Sequence, residues 1–408
     1  MTGRFHSAHP AWVAGSQLWI RLLTALKFFL VGREIGPGQV GIFAIGLLVL
    51  AVVEAATESG LQAALIQRQT PPDNTLMGAA WTALLARGAL IGTGIFVAAP
   101  YAAMALGDAS AQHVIEVMAL IAILKSAQHL GLTCLRRDRG FRTVGLVDGG
   151  AITVDVLVAL ALAWNGAGAL ALAWSAVAGE ALRTLLSWTA CRRPQTLSLK
   201  WRLLRQTSQF GAWIWGSSLL TLLVNQIDKI FVSQFLGTTQ LGIYQMSTRI
   251  SQLFITDAAA ALSQYLFPTL AQMHRNSPER TLPHFKKLIS VISIGALVIA
   301  GIVFLFSQEI TTLLLGPKWG NASDIVGYAV IQMALGAPNT VLVPYLRAIG
   351  KPQIATRATL NQLIVLCALG WLLTPALGIP GLIVANTLAV GCATLTMSAY
   401  VFFKADKQ

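Results

Sequence analysis

The chain has 408 residues, of which 55% are hydrophobic and 11% charged, with a formal net charge of +13 and a mean hydropathy of +0.66. A water-soluble domain carries about 25% charged residues, so this composition excludes a soluble globular protein and with it the nucleic-acid binding that +13 would otherwise suggest. The four cysteines, Cys134, Cys191, Cys367 and Cys392, lie in or beside apolar segments without C-x-x-C spacing, which argues for small buried hydrophobes and against a metal site or a disulfide framework.

Apolar runs of the ~20 residues needed to cross a bilayer as a helix recur along the whole length. Taken in chain order, the predicted spans are 11–32, 39–66, 76–100, 112–135, 143–164 and 167–190, then 210–236, 239–271, 285–307, 322–346, 354–375 and 379–403. The first is interrupted by Arg21 and Lys27 and lacks a small-residue cleavage pattern, so it is expected to be retained as a helix rather than removed as a signal peptide. The expected fold is an all-α polytopic membrane protein of about twelve transmembrane helices. It has an N-terminal six-helix lobe (1–190), a basic cytoplasmic linker (191–209) and a C-terminal six-helix lobe (210–408). The linker, CRRPQTLSLKWRLLRQTSQF with its neighbours, reads either as an amphipathic interfacial segment or as an ordinary positively charged connection.

Basic residues collect in alternate loops: Arg68; Arg136, Arg137, Arg139 and Arg142; Arg192, Arg193, Lys200, Arg202 and Arg205; Arg275, Arg280, Lys286 and Lys287; Arg347, Lys351 and Arg357; Lys404 and Lys407. The opposite loops, YAAMALGDAS, WNGAG and TPALGIPG, are nearly free of positive charge. By the positive-inside bias, both termini are expected to be cytoplasmic.

One stretch occurs twice. Laying Gly15–Phe43 on Gly216–Tyr244 without a gap matches Gly15 with Gly216, Ser16 with Ser217, Gly36 with Gly237, Gln39 with Gln240 and Gly41 with Gly242. A repeat of six helices enters the membrane twice in the same orientation, which predicts two halves related by a pseudo-two-fold axis along the membrane normal. G-x-x-Q-x-G-I would then be the tight outer turn between the first two helices of each half, where glycine accepts positive φ and close helix approach.

Ionisable residues inside the spans are the candidate functional groups. Six are cations: Arg21, Lys27, Arg87, Lys125, Lys229 and Arg249. Facing a wet cavity they would attract an anion, arginine as a bidentate fork and lysine as a point charge. Lys27 and Lys229 have a second reading, in which they snorkel to the outer interface or, for Lys229, pair with the adjacent Asp228. The acids are Glu54 and Glu58, four apart and so on one helical face, Asp148 and Asp155, seven apart and nearly aligned, and Asp228. Either they hold a coupling H⁺ or Na⁺, or they neutralise Arg21, Arg87 or Lys125. Under the repeat, Lys27 and Asp228 occupy equivalent positions with opposite charge. Glu180 and Arg183 read as a local pair, and His129 as a packing residue or a group that titrates near neutrality. No metal site and no cofactor beyond a coupling ion is expected.

VGREIGPGQVGIFAIG followed by ESGLQAALIQRQ, LRRDRGFR, then FGAWIWGSSLLTLLVNQIDKIFVSQFLGTTQLGIYQMSTRISQ with LFPTLAQ, LLLGPKW and YLRAIGKPQ together resemble the Wzx-type polysaccharide-biosynthesis flippases of the multidrug/oligosaccharidyl-lipid/polysaccharide exporter superfamily. The resemblance runs in order over nearly the whole chain. It implies two six-helix lobes around a central cavity, alternating access, and translocation of an undecaprenyl-pyrophosphate-linked oligosaccharide across the bacterial inner membrane. The product would serve exopolysaccharide, capsule or O-antigen export, alongside a polysaccharide polymerase and export machinery, without covalent chemistry on the substrate. Some relatives carry two further helices after the twelfth.

Two rivals come from other classes. A cation-coupled drug antiporter of the same superfamily would rely on acids, whereas here intramembrane cations are at least as numerous. A membrane polymerase or ligase would present catalytic residues on a large outer loop; the longest outer candidate, 307–324, has one Glu, one Asp and no His. No G-x-x-x-x-G-K-[ST] loop is present, which argues against ATP hydrolysis by this chain.

Overall fold

The computed structural model describes residues 10–58, 60–67, 73–138, 140–191, 195–200, 202–256 and 278–404. Regular structure among these is helical throughout. The helices are α1 (Pro10–Ala56), α2 (Leu61–Gln67), α3 (Asn74–Ala105), α4 (Gln112–Ala127), α5 (Gly131–Arg137), α6 (Phe141–Trp164) and α7 (Ala169–Ala190). They continue as α8 (Arg202–Leu236), α9 (Thr238–Phe254), α10 (Pro278–Leu305), α11 (Ser307–Leu315), α12 (Ala322–Gly336), α13 (Asn339–Ala348) and α14 (Pro352–Ala399).

Among the described residues nine helices are long and apolar enough to cross a membrane, and the apolar stretches Gly15–Ala56, in α1, and Pro352–Phe402, which begins α14 and runs just past its end, have 42 and 51 residues. At 1.5 Å per residue those two are about twice the ~30 Å of a bilayer core. Each is broken by one non-helical glycine, Gly36 in α1 and Gly378 in α14, so each divides into two helical segments of bilayer length joined by a tight turn. The sides of the helices carry the apolar surface that lipid requires: Leu90, Leu305 and Trp371 are 75%, 75% and 65% exposed.

The chain clusters into two compact units, Met1–Ile35 with Ile42–Leu222, and Gly36–Gly41 with Leu223–Gln408. In the first unit α3, α4, α7 and α6 pack in that order. Gly88 and Gly92, one helical turn apart, allow α3 to lie against α4: a Cβ at Gly88 would stand 2.1 Å from Ser126 Oγ, and one at Gly92 2.5 Å from Ile123 Cγ1. Lipid offers no hydrophobic drive to helix association, so small residues that permit close backbone approach supply it instead. In the second unit α12 is central and packs on α9, α10 and α14.

The repeat is visible in backbone geometry. Gly36 and Gly237 adopt φ/ψ of 79°/174° and 83°/174°, a region essentially reserved for glycine. A Cβ on Gly41 would lie 1.9 Å from the Thr238 carbonyl oxygen, and one on Gly242 would lie 1.9 Å from the Pro37 carbonyl oxygen. The alignment pairs Gly41 with Gly242 and Pro37 with Thr238, so the contact is reciprocal. It explains why residues 36–41 cluster with the second unit although their flanks belong to the first.

Several predicted spans are divided. The span 39–66 stops at Ala56 and resumes as α2 after Gly60, whose φ is +62°. The span 112–135 breaks between Ala127 and Gly131, and 322–346 breaks at Ala337–Pro338, where proline removes a helical N–H. The second half of the span 239–271 lies outside the described residues. The stretch 307–324, read from sequence as an outer loop, holds α11 and a 3₁₀ turn whose Trp319 is fully buried. Helix α8 starts at Arg202, within the stretch 191–209 assigned to the linker.

Replacing Gly41 or Gly242 by alanine forces a methyl group into a carbonyl and is expected to cost about 1–3 kcal/mol. Gly94→Ala, where nothing lies within 4 Å of the added carbon, serves as the neutral control. Thermal unfolding in detergent is the readout, and equal midpoints for all three variants would refute the reciprocal contact.

Candidate functional site

Charges within the first unit are sorted by helix geometry into three sets. Lys27 on α1 and Asp155 on α6 are 4% and 8% exposed. The Lys27 ammonium donates to both carboxylate oxygens of Asp155 at 3.0 and 2.8 Å and stands 5.2 Å from the centre of the Phe28 ring. Gly179 on α7 makes room for the acid, since its added Cβ would be 2.8 Å from Asp155 Cβ. Lys27 therefore pairs inward rather than snorkelling.

The second set gathers at the end of α1. Lys125 Nζ on α4 donates to both oxygens of Glu54 at 3.0 Å. Arg87 Nη2 on α3 donates to the Glu54 carbonyl at 2.8 Å and to Thr57 Oγ1 at 3.2 Å. A helix C-terminus leaves carbonyls unpaired and carries partial negative charge, which attracts both cations. Arg87 has no carboxylate partner among the described residues, and its Nε is buried without a hydrogen bond. Glu58 does not share a helical face with Glu54, because α1 ends at Ala56; its carboxylate instead accepts from the Gly60 N–H at 3.0 Å.

The third set surrounds Asp148. Arg183 Nε lies 3.1 Å and Arg136 Nη2 3.6 Å from its oxygens. Arg183 Nη1 also donates to Glu180 Oε2 at 2.8 Å, the local pair expected from spacing, and Gln128 Nε2 donates to Glu180 Oε1. Asp148 and Asp155, although nearly aligned on α6, serve different partners.

Between α4 and α5 the break at Gln128–Leu130 exposes backbone groups that a bilayer cannot hydrate, and each is answered locally. The Leu124 and Ala127 carbonyls accept from Thr184 Oγ1 at 2.9 Å and Trp188 Nε1 at 3.0 Å. The N–H groups of His129, Leu130 and Gly131 donate to Ser187 Oγ, Gln195 Oε1 and His129 Nδ1, each at 2.9 Å. His129 thus has Nδ1 as an acceptor and packs edge-on against Trp188 at 5.0 Å, which fits the packing reading. Cys191 follows α7 at this end, and burial, with the Cys134 thiol second, pushes its thiol up to about 11.

In the second unit Tyr244 on α9 donates its hydroxyl to Asp228 Oδ2 at 2.6 Å, and the Lys229 N–H donates to Asp228 Oδ1 at 2.8 Å. The Lys229 ammonium turns instead to Gln226 Oε1 at 2.8 Å and the Asn225 carbonyl at 3.3 Å. Arg249 here, like Arg21 in the first unit, is half-buried and engaged in an interaction of its own. The structure thus brings together Lys27 with Asp155, and Arg87 and Lys125 with Glu54. The partners Thr57, Gln128 and Tyr244 were missed because uncharged polar residues in a membrane helix leave no distinctive sequence pattern; for Tyr244 the repeat held a signal, since its equivalent is Phe43.

Residues 30–324 match the family of polysaccharide biosynthesis proteins. The chain belongs to this family. It is 23% identical to the succinoglycan biosynthesis transport protein ExoT of Rhizobium meliloti (strain 1021), over 80% of this chain and 66% of that protein. It is 19% identical to the lipopolysaccharide biosynthesis protein WzxC of Escherichia coli (strain K12), over 84% and 67%. The chain spans about two thirds of the length of these relatives. With the probable low-salt glycan biosynthesis flippase Agl15 of Haloferax volcanii it shares 22% over 92% and 79%. Among solved structures, an inward-facing multidrug resistance MATE family transporter of the MOP superfamily superposes with a TM-score of 0.75 at 14% identity, covering 95% of both chains. The lipid II flippase MurJ in an inward closed conformation gives 0.74 at 12%, covering 94% and 86%. The chain shares the fold of these transporters and is a multi-span membrane protein.

Removing one partner of the buried Lys27–Asp155 pair is expected to cost about 3–5 kcal/mol, whereas Lys27→Met with Asp155→Leu is expected to be near neutral. A double-mutant cycle on thermal unfolding tests this; additive losses would dissolve the pair. Maleimide alkylation of Cys191 should be slow at pH 7 and still rising about tenfold per unit at pH 9–10, because only the thiolate reacts. A plateau near pH 8.5 would mean an ordinary, accessible thiol.

Proposed function

We propose that this protein is a flippase that moves an undecaprenyl-pyrophosphate-linked oligosaccharide repeat unit across the bacterial inner membrane, for exopolysaccharide, capsule or O-antigen export, by alternating access. The observation that carries the reading is Arg87. A guanidinium within a membrane helix, resting on a carbonyl and a hydroxyl with no carboxylate partner among the described residues, retains its charge for an anion. Lys125 beside it, with its side chain 50% exposed and paired with Glu54, supplies a second cation once phosphate oxygens replace that carboxylate. The pair suits a pyrophosphate, whose charge otherwise costs several kcal/mol or more at membrane depth. Arg21 and Lys27 are the further proposed cations of the first unit, with Lys27 holding Asp155 as its counter-ion, and Lys229 and Arg249 are those proposed for the second.

Family membership and the relatives named for transport and flippase roles support this reading over a polymerase or ligase, and the substrate is moved without covalent change. Both termini are cytoplasmic in this scheme, with residues 1–190 and 210–408 as the two lobes, 191–209 as their connection, and a polymerase and export machinery acting on the product. Coupling to H⁺ or Na⁺ falls to Asp228, whose carboxylate is held by a tyrosine hydroxyl and an N–H rather than by a basic side chain; Glu54, Asp148 and Asp155 already face cations.

Sidedness of a lipid-linked oligosaccharide in proteoliposomes tests the proposal. Arg87→Ala and Lys125→Ala are each expected to slow translocation about tenfold or more, the loss of roughly one charge-assisted contact, with Arg87→Lys partly restoring it. Unchanged translocation in both alanine variants would remove Arg87 and Lys125 from the pyrophosphate site, and cation-coupled dye efflux without lipid translocation would sink the flippase in favour of the antiporter.

A further inference from the structure

A groove of about 470 Å³ runs between α1 and α6 inside the first unit. Its α1 wall presents Trp12 and Trp19, seven residues apart and so on one helical face; its α6 wall is paved by Gly145, Gly149 and Gly150. The volume is that of a small-ligand pocket, yet the polar side chains that line it are few. Thr153 already donates to the Gly149 carbonyl at 2.8 Å, and the others are the Ser16 hydroxyl and the indole N–H groups of Trp12 and Trp19. A sugar ring, which needs several fixed hydrogen bonds, is poorly served.

The groove is continuous with the lipid-facing surface. Leu146, one of its lining residues, is 56% exposed, and Leu18, Leu22, Leu26 and Leu30 form an exposed stripe along α1 at four-residue spacing. At the basic end of the chain, Arg142 is exposed one turn before Gly145 on the same helix, and Arg136 lies close to Asp148. An apolar body that opens sideways into the bilayer and ends at exposed arginines complements an amphipathic anion.

We infer that this groove holds the polyisoprenoid chain of a lipid phosphate, its methyl-branched tail against Trp12 and Trp19 and its phosphate toward Arg142. The glycine wall distinguishes a branched chain from a straight one. At Gly149 an added carbon would meet only Trp19 Cδ1, at 3.9 Å, so the missing side chain leaves a notch for a methyl branch, whereas at Gly145 Ser16 stands 3.1 Å away and closes the wall; the indole faces contact the alkenes. The identity of the chain rests on the flippase reading; its presence in the groove does not.

Gly15 and Gly149 allow a direct test, because an added Cβ meets nothing within 4 Å at Gly15 and only Trp19 Cδ1 at 3.9 Å at Gly149. Gly15→Leu and Gly149→Leu should fill the groove without moving the backbone, and Gly94→Leu, in open space on α3, is the control. The probe is a diazirine-bearing polyprenyl phosphate incorporated with the full chain in nanodiscs, with labelled peptides mapped by mass spectrometry and thermal unfolding confirming that each variant folds. Labelling should concentrate in 10–20 and 141–153, be competed by unlabelled polyprenyl phosphate, and fall about tenfold in the two groove variants only. Labelling spread evenly over the helices, competition equally by phosphatidylglycerol, or competition by free oligosaccharide alone would each overturn the inference. Focused labelling without lipid translocation in the sidedness assay would retain the groove and refute the flippase.

Discussion

A bilayer core contains no water to satisfy a stray backbone group or charge, and this constraint organises the rest of the molecule. Where α4 breaks before α5, two carbonyls and three N–H groups find side-chain partners from α7, the following connection and His129 itself. Such a break is tolerable only because Thr184, Ser187, Trp188 and Gln195 stand opposite it. These residues are uncharged, so they satisfy the backbone without creating further charges to neutralise.

The same constraint divides the ionisable side chains into those paired with an opposite charge and those held by neutral groups. Asp155 is consumed by Lys27, and Asp148 by Arg183 and Arg136. A fully paired buried charge gives little net stability over apolar packing, but removing one member is costly, so these pairs constrain which helices lie together. Arg87 differs because its partners are neutral oxygens. Its positive charge is held in place without being cancelled, and the proposed anion site rests on that difference.

Close backbone contacts supply what hydrophobic burial cannot. Gly88 and Gly92 let α3 settle on α4, and Gly41 and Gly242 let two repeated turns meet at their carbonyls. In water, apolar surface drives such packing; in lipid, Leu90 or Trp371 is as comfortable facing hydrocarbon as facing protein. Glycine positions are therefore the specific part of this sequence, and the leucines between them are the permissive part.

Much was determined by sequence alone. Apolar runs of bilayer length give the crossings, since hydrogen-bonding requirements leave a helix as the structure available to them, and the repeated G-x-x-Q-x-G-I predicts the shared glycine conformation found at Gly36 and Gly237. Composition excluded a soluble fold, and the ordered motifs indicated the family. The helix break at Gln128–Leu130 was hidden inside an apolar pattern, because its backbone groups are satisfied by side chains distant in the chain, whereas the breaks before Gly60 and at Pro338 carried local signals. Only tertiary structure decided which acid each cation meets. Spacing placed Asp148 with Asp155 and Glu54 with Glu58, but an ion pair forms between helices, over separations such as the 128 residues from Lys27 to Asp155, and helical periodicity carries no information about the neighbour across the gap.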